Sequence, residues 1–179
     1  PIGITLFELS KYFQDKLANP IIAAKINNNV FPLCDKIKNN CEIEFIDVND
    51  INGQTMYLAG LKFILIIALK ELFGNEANIE YLNSLDKGIY AEVKLGEKLS
   101  SLNIQRIINK VQEIIDMDLL FEKITVKKKE AINFLLKNNE IEKAKNIQNL
   151  SNSTVVFFKL KNYFNYFYAD LPYSTKAIN

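Results

Sequence analysis

The spacing of apolar residues changes period several times along the chain, and each change predicts a new element. Leu6, Leu9, Phe13 and Leu17 recur at helical spacing, with Thr5 as N-cap and Glu8 three residues later to complete a capping box. Asn19-Pro20 predicts the end of that helix, because the residue before a proline is pushed out of the α region. Residues 21–26 read as a strand, Asn27-Asn28-Asn29 as its turn, and residues 30–33 as a short partner. Residues 42–48 alternate cleanly and predict a half-buried strand. Asp50-Ile51-Asn52-Gly53 is a polar break and the best domain boundary, with a long helix predicted over 54–73 and ended near Gly74-Asn75. Inside that helix, residues 63–69 form an unbroken apolar run between Lys62 and Lys70, which predicts burial on nearly every side.

The remainder alternates strands and helices. Residues 78–82 and 88–93 predict a strand pair. A helix over 101–116 places Ile104, Ile107, Ile108, Val111, Ile114 and Ile115 on its apolar face. Residues 121–126 read as a strand, 127–138 and 141–150 as two short helices, and 154–159 with 163–168 as a final strand pair. No internal repeat or low-complexity linker interrupts this order, and the expected class is α+β.

Composition narrows the chemistry. The sequence has 179 residues, 49% of them apolar, enough to bury a core without disulfide or metal staples. It has no histidine, which removes Ser–His–Asp and Cys–His catalysis, histidine zinc sites and any histidine pH switch. Two cysteines, Cys34 and Cys41, are too few for a structural zinc site and read as free thiols in a reducing cytoplasm, a disulfide between them being the weaker alternative. No signal peptide opens the sequence, and seven apolar residues fall far short of the roughly 20 that cross a bilayer. A cytoplasmic protein with no membrane partner is expected. Charges nearly balance, with 22 basic and 21 acidic residues, and Arg106 is the single arginine. Bidentate reading of guanine or phosphate favours arginine, so sequence-specific DNA recognition is not expected. None of the six glycines is followed by lysine, so the sequence holds no P-loop to cradle ATP phosphates.

Three groups carry candidate chemistry. The aromatic run Tyr163, Phe164, Tyr166, Phe167, Tyr168 with Tyr173 either stacks nucleobases or fills the interior. Lys123, Lys127, Lys128 and Lys129 either contact RNA phosphates or form a solvated helix start, and lysines at that end oppose the helix dipole. Lys143 with Lys145 either holds an anion or decorates a short helix. Ser84-Leu85-Asp86-Lys87 matches Ser-x-x-Lys but reads as a turn before the strand at Gly88.

Taken in order, these elements resemble two known modules. The segments Pro1-Ile2-Gly3-Ile4-Thr5-Leu6, Ala23-Ala24-Lys25-Ile26-Asn27 and Glu42-Ile43-Glu44-Phe45-Ile46 resemble a TGS domain, a small β-grasp module, over residues 1–48. Its usual first strand is not in the sequence, which on this resemblance starts inside the opening hairpin. Residues 53–179 resemble the editing-type second domain of threonyl-tRNA synthetase. The long helix, the strand Lys87-Gly88-Ile89-Tyr90-Ala91-Glu92-Val93 and the end 163–175 fall in matching order.

What the resemblance implies lies mostly in its departures. The family's editing domain carries His-x-x-x-His on the long helix, where this chain has Ala59 and Phe63, and Cys-x-x-x-His near its end, where this chain has Phe167 and Leu171. A tyrosine of the family pocket corresponds to Ala91, an aspartate to Asn165, and a lysine is retained as Lys143. Editing is ester hydrolysis and needs a polarised water, which alanine, phenylalanine and leucine cannot hold. The expectation is therefore no catalytic residue, no metal and no cofactor in this stretch, a pocket filled by Phe63 and Phe167, and candidate ligand contacts at Lys143, Tyr90, Asn165 and Tyr166. This emptied pair of modules resembles the N-terminal region of bacterial nucleoside kinases of the uridine-kinase type. That resemblance implies a regulatory or accessory role beside a P-loop kinase domain of the same chain, which alone would use ATP and magnesium. The alternative is an RNA- or tRNA-binding module without hydrolysis. An anionic ligand or RNA is the expected outside partner.

Overall fold

The computed structural model describes residues 3–85, 88–138 and 140–178, with the backbone alone for 83–85. The predicted turn Ser84-Leu85-Asp86-Lys87 and the predicted strand start at Lys87 lie partly outside the described residues. The architecture is α+β, with three small antiparallel sheets arranged around one long helix.

The chain opens with α1 (Leu6–Ser10), whose capping box forms as the sequence predicts. Glu8 N–H donates to Thr5 Oγ1 (3.1 Å), and Thr5 N–H donates to the Glu8 carboxylate (2.8 Å). The helix is shorter than its apolar spacing predicts. It stops after Ser10, whose hydroxyl donates back to Phe7 C=O (2.8 Å), and a 3₁₀ turn at Gln14–Lys16 carries the chain onward. Gln14 holds the exit: its amide donates to Asn19 C=O and accepts from Ile21 N–H. The first sheet has the order β2–β1–β3, from β1 (Ala23–Ile26), β2 (Asn29–Pro32) and β3 (Ile43–Ile46). Asn27 and Asn28 both sit at positive φ (50° and 63°), the two-residue hairpin geometry that asparagine tolerates best after glycine.

α2 (Ile51–Phe73) begins inside the stretch that reads as a polar break. Asp50 is its N-cap and accepts from Asn52 N–H (2.8 Å), so the polar residues start the helix instead of separating from it. Gly53 is required there, because a Cβ would lie 2.0 Å from Asp47 C=O. No residue from Met56 to Lys70 is exposed, as the apolar run predicts. Gly74 ends the helix at φ +86°. β4 (Asn78–Leu85) and β5 (Gly88–Lys94) form a two-stranded sheet against it.

α3 (Ser101–Asp116) matches its predicted bounds, but only part of its predicted apolar face is buried. Ile107, Val111, Ile114 and Ile115 pack into the apolar clusters, while Ile104 and Ile108 stand about half exposed outside them. The third sheet has the order β6–β7–β8, from β6 (Glu122–Lys127), β7 (Thr154–Leu160) and β8 (Tyr163–Asn165). β8 ends at Asn165, three residues before the predicted end, because the chain leaves the sheet there and crosses back toward α2. α4 (Lys128–Lys137) and α5 (Ile141–Gln148) cover one face of this sheet through Ala131, Leu135, Ala144 and Ile147 against Val155 and Phe157.

The N-terminal sheet is packed onto the rest of the chain. Phe7 stacks on Tyr173 with centroids 3.7 Å apart. Ile22, Ala23 and Ile46 pack against Met56 of α2. Lys25 on β1 pairs with Asp50 at the α2 cap. Both cysteines are free thiols. No described helix is long and apolar enough to cross a membrane.

Candidate functional site

Ala59 and Phe63 lie one turn apart on α2 and so share a face. The segment leaving β8 brings Phe167 and Leu171 to that face, and all four positions meet in one hydrophobic cluster. Ala59, Phe63 and Leu171 are 7%, 1% and 2% exposed, and Phe167 is half-buried. The Phe63 ring lies 5.3 Å from that of Phe167 and 6.3 Å from that of Phe121, and Phe158 lies 6.4 Å from Phe167. The predicted filling by Phe63 and Phe167 is present, and two aromatics that the sequence did not single out, Phe121 and Phe158, complete it.

Closure is tight on the far side as well. Gly60 lets the end of the chain approach α2: a Cβ there would sit 3.0 Å from Pro172 Cδ and from Ile178 Cδ1. Thr175, fully buried, donates to Ile115 C=O (3.2 Å) and accepts from Leu119 N–H (3.0 Å), which fastens this segment to the α3–β6 junction. Ala59, Phe63, Phe167 and Leu171 themselves bring neither a proton acceptor nor a donor to this interior. Among the described residues, no group of histidine, cysteine or carboxylate side chains is arranged to hold a metal ion.

Of the candidate contact residues, three come together and one does not. Lys143 on α5 donates to Asn165 Oδ1 (3.0 Å), pairs with Glu140 one turn earlier, and sits 5.5 Å from the Phe167 ring centroid. Asn165 is buried, and its Oδ1 also accepts from Tyr166 N–H (2.7 Å). The lysine charge is thus already matched by a carboxylate, a carbonyl oxygen and a ring face. Glu140 was not singled out from the sequence, although its i,i+3 spacing to Lys143 is the ordinary signal for such a pair. Tyr166 packs on Phe157 (5.8 Å) and Tyr168 (5.3 Å), and partial burial pushes its phenol up from the ordinary value. Tyr90 stands apart, about half exposed on β5 opposite Asn83. Its neighbour Ala91 pairs with Tyr81 and packs in a separate cluster with Leu69 and Ile79.

The opposite face of the β6–β7–β8 sheet is covered at Phe158 and open toward Val156 and Thr154. The register pairs Lys127 with Thr154, Thr125 with Val156, and Lys123 with Phe158, so these six residues share that face. A groove of about 480 Å³ runs over it, bounded by Tyr166, Tyr168 and Asp170 on the chain leaving β8. Thr154 also lines a second hollow of about 620 Å³ that is edged by Lys127, Lys128 and Lys129. Lys128 donates to Leu150 C=O, and Lys123 pairs with Asp170 (2.7 Å). Among the described residues no carboxylate lies within ion-pair distance of Lys127 or Lys129. Both stand at the positive end of the α4 dipole, where cations are least favoured. Tyr168 keeps a polar tip on the groove wall, its hydroxyl accepting from Asn146 (2.7 Å).

No family model matches the chain. Among curated proteins, it is 26% identical to the threonine–tRNA ligase of Desulforamulus reducens over 155 residues, covering 87% of this chain and 24% of that protein. It is 27% identical over 156 residues to the threonine–tRNA ligase of Caldanaerobacter subterraneus subsp. tengcongensis, with the same shares. It is 30% identical over 158 residues to that of Ehrlichia chaffeensis, covering 88% of this chain and 25% of the relative. The chain spans about a quarter of the length of the curated relatives it matches. Over nearly nine-tenths of its length, then, this chain is homologous to part of threonine–tRNA ligase, and its fold is the α+β fold expected from that resemblance.

Proposed function

We propose that this chain is a non-catalytic, tRNA-synthetase-derived module that binds RNA, acts in the cytoplasm and hydrolyses no ester. The observation that carries the non-catalytic part is the hydrocarbon cluster of Ala59, Phe63, Phe167 and Leu171, where the resembled editing domain carries three histidines and a cysteine. The RNA part is supported by relatives that are threonine–tRNA ligases and by the open sheet face beside Lys127, Lys128 and Lys129. Lys127 and Lys129 have no carboxylate within ion-pair distance among the described residues, and a polyphosphate backbone supplies anions at fixed spacing. The tyrosines bounding the adjoining groove add ring faces on which unpaired bases stack. No metal or cofactor takes part.

The test is a titration with tRNA from low to rising salt. Binding that weakens linearly on a log–log plot supports this reading, since each neutralised phosphate releases counterions. Absence of binding at low salt removes it. A second reading, an accessory region of a uridine-type nucleoside kinase whose own domain would use ATP and magnesium, shares the emptied hydrolytic positions as its motivation. The named relatives favour the RNA reading over it. Finding a P-loop encoded downstream of residue 179 in the same gene would revive the kinase reading.

A further inference from the structure

A separate hollow of about 420 Å³ lies in the N-terminal part of the chain, between α1, the β1–β2 hairpin and the loop 35–41. Small-molecule sites occupy roughly 300–1,000 Å³ and combine an apolar floor with a few polar groups. Here the floor is Ile26 and the ring-bearing Phe31, both half-buried, backed by the fully buried Leu6. The rim carries Lys36 and Lys38, both exposed. Among the described residues neither lysine forms an ion pair. Asp35 is the one carboxylate in the lining, so positive charge prevails two to one. Asn39 and Asn40 complete the rim, exposed, and each amide offers donors and an acceptor at once.

We propose that this hollow binds a small anion carrying a flat ring with a polar edge. The ring lies on the Ile26–Phe31 floor, its edge meets the asparagine amides, and the anionic group meets Lys36 and Lys38. Two sources share that chemistry, a nucleoside monophosphate and a heteroaromatic carboxylate. The inference does not rest on the RNA reading, which uses different lysines on a different sheet.

Heteronuclear NMR on the full chain tests it, with adenosine monophosphate, adenosine, inorganic phosphate and pyridine-3-carboxylate as probes. Saturable shifts are expected at Phe31 and at residues 35–41. Either the monophosphate or the carboxylate should bind at least about tenfold tighter than adenosine or phosphate alone, and whichever does identifies the source. The double variant K36A/K38A should lose that tenfold gain, its spectral dispersion showing that it still folds, while K94A/K145A should retain it. Failure of both anionic probes to shift these amides, or unchanged affinity in K36A/K38A, overturns the proposal.

Discussion

Two ends of one face of the same three-stranded sheet have opposite characters. Where Phe158 meets α2, the buried side chains of the cluster are hydrocarbon. Two residues further along the same strand face, at Val156, the surface opens into a groove edged by Thr125, Thr154 and Tyr168, with Lys127 on the hollow beside it. On the proposed reading, the difference separates where chemistry has been removed from where interaction remains. A hydrolytic centre needs polar groups aimed inward, and here the inward positions are filled. A binding face needs charge and ring surface aimed outward, and here these persist.

The comparison is broken most severely by forcing polarity back inward. Installing A59H, F63H, F167C and L171H together places four polar groups where no partner awaits them. Each costs about 1–3 kcal/mol for an unmet hydrogen bond, with overpacking added at Ala59. Their sum rivals the 5–15 kcal/mol that holds a domain folded, so loss of the cooperative unfolding transition in urea is expected. A folded variant that deacylates mischarged tRNA would contradict the account. Next in size, F63A removes the ring that touches Phe121 and Phe167 and should cost about 3–5 kcal/mol in the same measurement. V156A, on the open face, should cost less than about 1 kcal/mol.

The first of these regions was legible in the sequence and the second only in part. Ala59 and Phe63 are one helical turn apart, and the family pattern marked Phe167 and Leu171 by order alone. Their convergence with Phe121 and Phe158 depends on the crossing of the chain after Asn165, which no local period encodes. The Thr5–Glu8 capping box was readable because it is local chemistry. The end of α1 was not, because Gln14 bonds to Asn19 and Ile21 compete with helix continuation. Asp50 read as a break and proved to be a cap, since the same residue types serve both purposes. The exposure of Ile104 and Ile108 on α3 shows the limit of periodicity: it marks an apolar face but not what covers it.

On the open face, K127A/K129A should weaken tRNA binding roughly tenfold at moderate salt and lower the salt slope by about 1.5, since each phosphate contact contributes about 0.7–0.9. The matched exposed pair K94A/K145A should change neither, because both lysines lie off the groove lining and already face carboxylates. Away from both regions, T5A removes the α1 cap and should cost about 1 kcal/mol.

The smallest effect tests the tie between the N-terminal sheet and α2. The Lys25 hydrogen bond, backed by the Asn52 N–H, holds the Asp50 carboxyl down to about 2. Because the folded value lies below the unfolded value of about 4, its contribution is complete above pH 4 and is lost as pH falls toward 2. D50N keeps a capping side chain but lacks the charge. It should therefore flatten the acid-side fall in stability by less than about 1 kcal/mol, as read by thermal unfolding across that window.

One experiment reaches the central claim most directly: mischarged, end-labelled aminoacyl-tRNA is incubated with the purified chain, and retention of the complex and survival of the ester are read from the same sample. The account predicts salt-sensitive retention with the ester decaying no faster than in buffer. Accelerated ester loss, or no retention at low salt, would contradict it.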